Sequence, residues 1–76
     1  MTVTPRTRVE LAEMLSKNLG MTRAIAAVDV AADALGVGAE MGNLEALEVL
    51  SKVADQPGLV GIAARFAKSR AHLKWS

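Results

Sequence analysis

Two carboxylates and one imidazole are the side chains of this sequence that come closest to catalytic or metal-binding chemistry. Asp29 and Asp33 are four residues apart, so on a helix they lie on one face, one turn apart. Such a pair suits general acid–base catalysis or part of a metal site. The only histidine is His72, and neither cysteine nor tyrosine occurs. Because no further ligand or base is placed beside the pair, we interpret it as a solvated stripe and expect neither catalysis nor a bound metal.

The glycine-rich loop after the second predicted helix is another candidate for ligand binding. Gly36 and Gly38 do not fit a phosphate-binding loop, because such a loop follows a strand and none is predicted before them. We therefore expect no cofactor and no small-molecule substrate. Met41 lies in the same loop, and a flexible methionine exposed there is a candidate anchor for a protein partner.

Length and composition favour one small helical domain spanning residues 1–76. The apolar half of the chain is mostly Ala, Leu, Val, Ile and Met, and aromatic residues make up only 3%. This mixture packs well between helices and specifies strands poorly. The absence of cysteine excludes a disulfide scaffold and thiolate metal sites. Because the chain has no uncharged apolar stretch of roughly 18 residues and no signal core, we expect no membrane insertion and a cytoplasmic location.

Capping residues and glycines divide the chain into four helices. Thr7 and Glu10 have capping-box spacing at the start of the first helix, and Gly20 ends it. Thr22 and Asn43 are the predicted N-caps of the second and third helices. The predicted helices span about 8–19, 22–35, 43–55 and 58–74, after a flexible lead-in at 1–6. The predicted fold is an all-α, compact bundle of these four short helices, with the second helix central.

The spacing of apolar residues predicts which side of each helix faces the core. The predicted buried positions are Leu11, Leu15 and Leu19 in the first helix, Met21, Ile25, Val28, Ala32 and Leu35 in the second, Leu44, Leu47, Leu50 and Ala54 in the third, and Leu59, Ile62, Ala63, Phe66 and Leu73 in the fourth. The third helix has a clear polar face opposite, formed by Glu45, Glu48, Lys52 and Asp55.

The second helix carries a further apolar strip on its other side, formed by Ala27, Val30 and Ala34. A helix that is apolar nearly all round is either central in a bundle or covered by another chain. Since a chain of this length has few elements to cover both sides, we expect a homo-oligomer that associates through this strip. Residues 9–35, a helix ending in glycine followed by an Ala-rich helix, are similar to the N-terminal half of histone-like HU proteins. That resemblance also implies dimerisation.

Basic residues collect toward the end of the chain. Residues 65–74 include four bases and no acid, whereas residues 29–55 include six acids and one base. One explanation is that cations are favoured in the last turns of a helix. The other is a docking surface for nucleic acid, anionic lipid or an acidic partner.

The basic segment also carries a pattern known from DNA-binding proteins. Residues 62–73 read Ile-Ala-Ala-Arg-Phe-Ala-Lys-Ser-Arg-Ala-His-Leu. This stretch resembles the positioning helix, turn and recognition helix of bacterial helix-turn-helix regulators. The resemblance implies nucleic-acid contacts from Lys68, Ser69, Arg70, His72 and Lys74. The alternative is one continuous helix from Leu59 to about Lys74.

These patterns favour binding over catalysis. We expect a small, non-enzymatic protein-interaction module that self-associates and acts as an adaptor, an inhibitor or an accessory protein of the phage or plasmid type. The alternative is a small dimeric helix-turn-helix regulator that binds DNA through residues 59–75.

Overall fold

The structure, a computed structural model, describes residues 5–75. These residues form four helices and one pair of two-residue strands. In chain order the elements are β1 (Arg6–Thr7), α1 (Arg8–Leu19), α2 (Met21–Leu35), β2 (Glu40–Met41), α3 (Asn43–Ala54) and α4 (Leu59–Trp75). The predicted all-α bundle is confirmed, and each helix begins and ends within one residue of its predicted bounds.

The helices contact one another in a ring. α1 packs on α2, α2 on α3, α3 on α4, and α4 back on α1. The second helix, expected at the centre of the bundle, instead has α1 and α3 as its main neighbours, so it is enclosed no more than the other helices are. This arrangement leaves every helix with an outer side.

Caps define the start of α1 and the turn into α2. The backbone N–H of Glu10 donates to Oγ1 of Thr7 at 3.1 Å, which confirms Thr7 as the N-cap. Gly20 ends α1 with φ at +78°, a region that glycine adopts without a Cβ penalty. Because α2 begins at the very next residue, its N-cap is Gly20 and the prediction of Thr22 is wrong.

The start of α3 also differs from the prediction. Gly42 is the N-cap, and its backbone N–H donates to Oε1 of Glu45 at 3.1 Å. Asn43, the predicted cap, is the first helical residue, and its Oδ1 accepts a hydrogen bond from Nε of Arg6 at 2.9 Å. The side chain of Asn43 therefore ties the helix to the segment before α1 instead of capping its own helix.

A strand pair joins the start of the chain to the loop before α3. β1 and β2 are antiparallel, with Arg6 opposite Met41 and Thr7 opposite Glu40. Two expectations are corrected here. Arg6, assigned to a flexible lead-in, is paired, while residues 1–4 of that lead-in lie outside the described part. Met41, predicted as an exposed anchor, is buried in the core, because the strand pairing holds the loop against the helices.

The core consists of apolar side chains from the four helices and the α2–α3 loop. Its largest fully buried members are Leu11, Leu15, Val28, Val49, Leu50 and Val53. Within residues 5–74 no polar or charged residue is buried. The predicted buried stripe of α1, formed by Leu11, Leu15 and Leu19, is confirmed.

α2 and α3 present a different side to the core from the one that their spacing predicted. The buried residues of α2 are Ala24, Ala27, Val28, Ala31 and Ala32. Three residues of α2 that were predicted to be buried are partly exposed: Met21, Ile25 and Leu35. Leu44 of α3, also predicted to be buried, is more exposed than these three. At about 100° per residue, the buried side of α2 is rotated by roughly 60° from the predicted one. The rotation carries the carboxylates of α2 away from the core, so neither is desolvated.

Those carboxylates bind an arginine instead of forming a free solvated stripe. Nη1 of Arg8 lies 3.3 Å from Oδ1 of Asp29, and Nη2 lies 2.9 Å from Oδ1 of Asp33. The same guanidinium donates to the backbone carbonyls of Val37 and, at 3.2 Å, Gly38. The two carboxylates raise the pKa of Arg8 above its already high ordinary value, chiefly through the hydrogen bond that Arg8 donates to Asp33. The guanidinium therefore stays charged across the pH range in which proteins fold, and it holds α1, α2 and the loop together.

We call the contacts of Arg8 with Asp29, Asp33 and the carbonyls of Val37 and Gly38 the Arg8 clamp. Replacing Arg8 with methionine tests this clamp. We expect backbone amides of residues 37–41 to exchange with solvent several-fold faster, because the loop loses its hydrogen bonds to the guanidinium while the helices keep their core. Hydrogen exchange followed by NMR measures the effect. The control is Arg23→Met, which removes an exposed arginine of α2. Equal protection of the loop in both variants would show that the clamp contributes nothing to its order.

Candidate protein-interaction surface

The last helix, α4, is unbroken from Leu59 to Trp75. A helix-turn-helix requires a break at 67–69, where all three residues are helical. The resemblance to helix-turn-helix regulators is therefore wrong, and the alternative of one continuous helix is confirmed. The physical reason lies at Ala67, which stands where the turn usually has glycine, because alanine favours the helix more than any other residue.

The buried side of α4 consists of small residues. Gly61, Ala63, Ala64, Ala67 and Ala71 are buried, and they pack where α4 meets α3 and α1. The predicted buried side, with Leu59, Ile62, Ala63, Phe66 and Leu73, instead lies roughly 130° away around the helix, and of those five only Ala63 is in the core. That side is bordered by Arg65 and Arg70, whereas the alanine side has Lys68 and Lys74 beside it. Burying the alanines therefore avoids removing guanidinium groups from water.

As a result, four large apolar side chains of α4 point outward. Leu59 is 49% exposed, Ile62 50%, Phe66 62% and Leu73 86%. We call these four residues the α4 seam. They are spaced by three, four and seven residues, so they lie within roughly 60° of one another around the helix. The seam is an apolar ridge that only Ser69 interrupts, and among residues 5–75 no helix covers it.

Basic side chains border the seam on both edges. Arg65 lies along one edge and Arg70 along the other, with Lys74 one turn further on. Nη2 of Arg70 donates to the backbone carbonyl of Met14 at 3.1 Å, which ties this edge to α1. In the part of the chain that the structure describes, no base of α4 forms an ion pair. The positive charge along the seam is therefore not neutralised locally.

The remaining predicted nucleic-acid residues do not share one surface. Ser69 is exposed and continues the line of the seam between Phe66 and Leu73. Lys68 is half-buried and lines, with His72, a groove that also contains Glu48 and Asp55 of α3. Lys68 and His72 thus line a groove with acids of their own chain, so the five residues predicted to contact nucleic acid are divided between two sides of α4.

A second groove, between α1 and α4, adjoins the Leu73 end of the seam. Its charged lining comprises four bases and two acids: Arg6, Lys17, Arg70, Lys74, Glu10 and Glu13. The acid Glu10 is already paired with Nη1 of Arg6 at 2.8 Å. The surroundings of the seam on this side are thus basic as well.

The strip predicted on α2 is smaller than expected. Ala27 belongs to the core, while Val30 is 65% exposed and Ala34 is exposed beside it. Two small side chains remain on a surface for which three were predicted. The predicted strip is therefore smaller than the α4 seam, and Met41 adds nothing to the exposed surface.

The fold and this surface define a small four-helix bundle with an outward-facing apolar ridge between basic edges. Comparison with protein-family models, with curated proteins and with solved structures finds no match to this chain. No helix within residues 5–75 is both long and apolar enough to cross a membrane.

Proposed function

We propose that this protein is a non-enzymatic protein-interaction module, an adaptor, inhibitor or accessory protein, that binds its partner through the α4 seam. The observation that supports the proposal is the exposure of four large apolar side chains in one line on one helix. Single exposed apolar residues are common on soluble proteins, but contiguous exposed apolar patches mark interaction sites.

The energetic reasoning follows from the size of these side chains. Burying a Leu, Ile or Phe side chain is worth about 1.5–3 kcal/mol. A partner that covers the seam therefore gains apolar burial that the chain itself does not achieve. Aromatic anchors contribute strongly to interfaces, and Phe66 lies in the middle of the seam.

Self-association through α2 has less support. Val30 and Ala34 together are small compared with a stable interface, which buries about 800 Å² on each partner. Val30 nevertheless matches Phe66 closely in exposure, 65% against 62%, and it lies on a different helix. It is therefore the natural reference position for a test of the seam.

A photo-crosslinking residue placed at position 66, and in a separate variant at position 30, tests the proposal in the host cell. We expect the probe at Phe66 to form a discrete covalent adduct with a protein partner, and the probe at Val30 to form none or far less. Gel electrophoresis and mass spectrometry of the adducts measure the result. Both variants need to keep the helical circular dichroism of the unmodified chain.

Two outcomes would contradict the proposal. Equal adducts from both positions would show that exposure alone, and not the seam, determines crosslinking. Adducts of twice the chain mass from position 30 alone would instead support self-association through α2.

A further inference from the structure

We infer that the occupant of the α4 seam is an acidic amphipathic helix of a partner protein. This inference rests on the proposed function and goes further by assigning the shape and the charge of the partner. Three features of α4 support it: the width of the seam, the positive charge along its edges and the spacing of its residues.

The spacing of the seam is that of a helix-to-helix contact. The seam residues, with Ser69 filling the place between Phe66 and Leu73, follow one another in steps of three and four residues. This is the a/d repeat by which one helix packs along another. A seam confined to these positions is narrower than the face of at least about 100° by which a helix usually packs on a broad apolar surface. One helix of a partner therefore fits the seam better than a flat membrane surface does.

The edges of the seam specify the charge of that helix. Arg65 and Arg70 occupy the positions that border an a/d seam, where coiled coils place the charges that determine partner choice. Both are exposed, and among the described residues neither is ion-paired. A partner helix with Glu or Asp along its edges would pair with them, whereas one with Lys or Arg would be repelled.

The same charges argue against other occupants. Packing α4 of one copy against α4 of a second would bring arginine edges together, which is unfavourable. Nucleic acid would contact the basic side chains at the edges of the seam but would leave the apolar ridge exposed. Phosphate binding relies on cationic and hydrogen-bonding groups, not on apolar ones. An acidic amphipathic helix uses both the ridge and its edges.

Selection from a displayed peptide library tests the inference. Each peptide is a helix with leucine at every a and d position, and its edge positions vary among Glu, Gln and Lys. The library is selected for binding to the full chain and, separately, to its Phe66→Ser variant. The peptides that only the unmodified chain retains are then sequenced. We expect Glu to be enriched at the edges. A Glu-edged peptide should bind about tenfold more tightly than its Lys-edged counterpart.

Charge reversal provides the matched comparison. Arg65→Glu should reduce the preference for the Glu-edged peptide by about tenfold, because that edge then favours Lys as much as it favoured Glu before. Arg23→Glu makes the same change of charge on α2 and should leave the preference unchanged. Circular dichroism of both variants shows whether the bundle is intact, and binding of the Gln-edged peptide shows whether the ridge still functions.

The outcomes separate this inference from the proposed function. Peptides that depend on Phe66 but show no preference for Glu would overturn the acidic partner and leave the interaction module standing. The acidic helix would also be overturned if phosphatidylglycerol–phosphatidylcholine vesicles, duplex DNA or a second copy bound in a Phe66-dependent way and more tightly than the selected peptide. A failure to retain any Phe66-dependent peptide would overturn it too, while the crosslinking experiment at Phe66 would decide the proposed function independently.

Discussion

Replacing Gly61 with alanine is expected to lower the free energy of unfolding by about 3 kcal/mol or more, because the added Cβ has no space. A Cβ at this position would lie 2.1 Å from the carbonyl oxygen of Gln56 and 2.9 Å from that of Ala54. Both atoms belong to the backbone, so a rotamer change cannot relieve the clash. The turn between α3 and α4 would have to move.

The geometry of that turn explains why it cannot move cheaply. The backbone N–H of Asp55 donates to the carbonyl of Lys52, and that of Gln56 donates to the carbonyl of Val53. These hydrogen bonds fix the end of α3 and the turn after it, which carry the carbonyls of Ala54 and Gln56. Moving α4 outward would also separate its buried alanines from the core, where even small gaps lose contacts.

Chemical denaturation of the variant measures this effect, and Gly38→Ala is its control. Nothing lies within 4 Å of a Cβ built at Gly38, and its backbone is not in the left-handed region. We expect that variant to stay within about 0.5 kcal/mol of the unmodified chain, or to gain slightly from the reduced freedom of its unfolded state. Equal stability of the two variants would show that the close approach of α3 and α4 is absent in solution.

The helices could be predicted from the sequence because their ends are encoded locally. Thr7 and Gly20 define α1 by side-chain capping and by a positive φ, which depend on neighbouring residues alone. Glycines likewise separate α2 from α3. Where a cap prediction failed, at Thr22 and Asn43, the helix started within one residue of the predicted position, so the error did not change the fold.

Which side of each helix faces the core could not be predicted as well as the helix ends, because α2 and α4 each have two apolar sides. Spacing identified the seam of α4 correctly but assigned it to the core. Charge does not separate the two sides either: Arg65 and Arg70 border the seam, and Lys68 and Lys74 lie beside Ala64, Ala67 and Ala71. The size of the apolar side chains therefore does not tell which of two apolar sides of a helix is buried.

The strand pair and the Arg8 clamp depend on contacts that are distant in sequence. Two-residue strands have no detectable periodicity, so nothing local pointed to the pairing of Arg6 with Met41. Asp29 and Asp33 did stand out as a pair, but their partner Arg8 is more than twenty residues away. Only the antiparallel packing of α1 and α2 brings the three charges together.

Leu50→Ala and Phe66→Ser are expected to affect stability very differently, although both remove a large apolar side chain. Leu50 is fully buried, so its truncation should lower the free energy of unfolding by about 2–5 kcal/mol. For 76 residues the whole free energy of unfolding is roughly 4–11 kcal/mol, so this loss is severe. Phe66 is mostly exposed, and phenylalanine and serine have similar helix propensities. Phe66→Ser should therefore change stability by less than about 0.5 kcal/mol.

Thermal denaturation of both variants at two protein concentrations distinguishes three arrangements of the bundle. If Phe66 is exposed in an isolated chain, its variant melts with the unmodified protein at both concentrations. If a second copy covers the seam, Phe66→Ser lowers the melting temperature more at the higher concentration, because association stabilises only the unmodified chain. A large loss that is independent of concentration would show that Phe66 packs within its own chain. The seam would then not be a surface at all, and both the interaction module and its acidic partner would have to be abandoned.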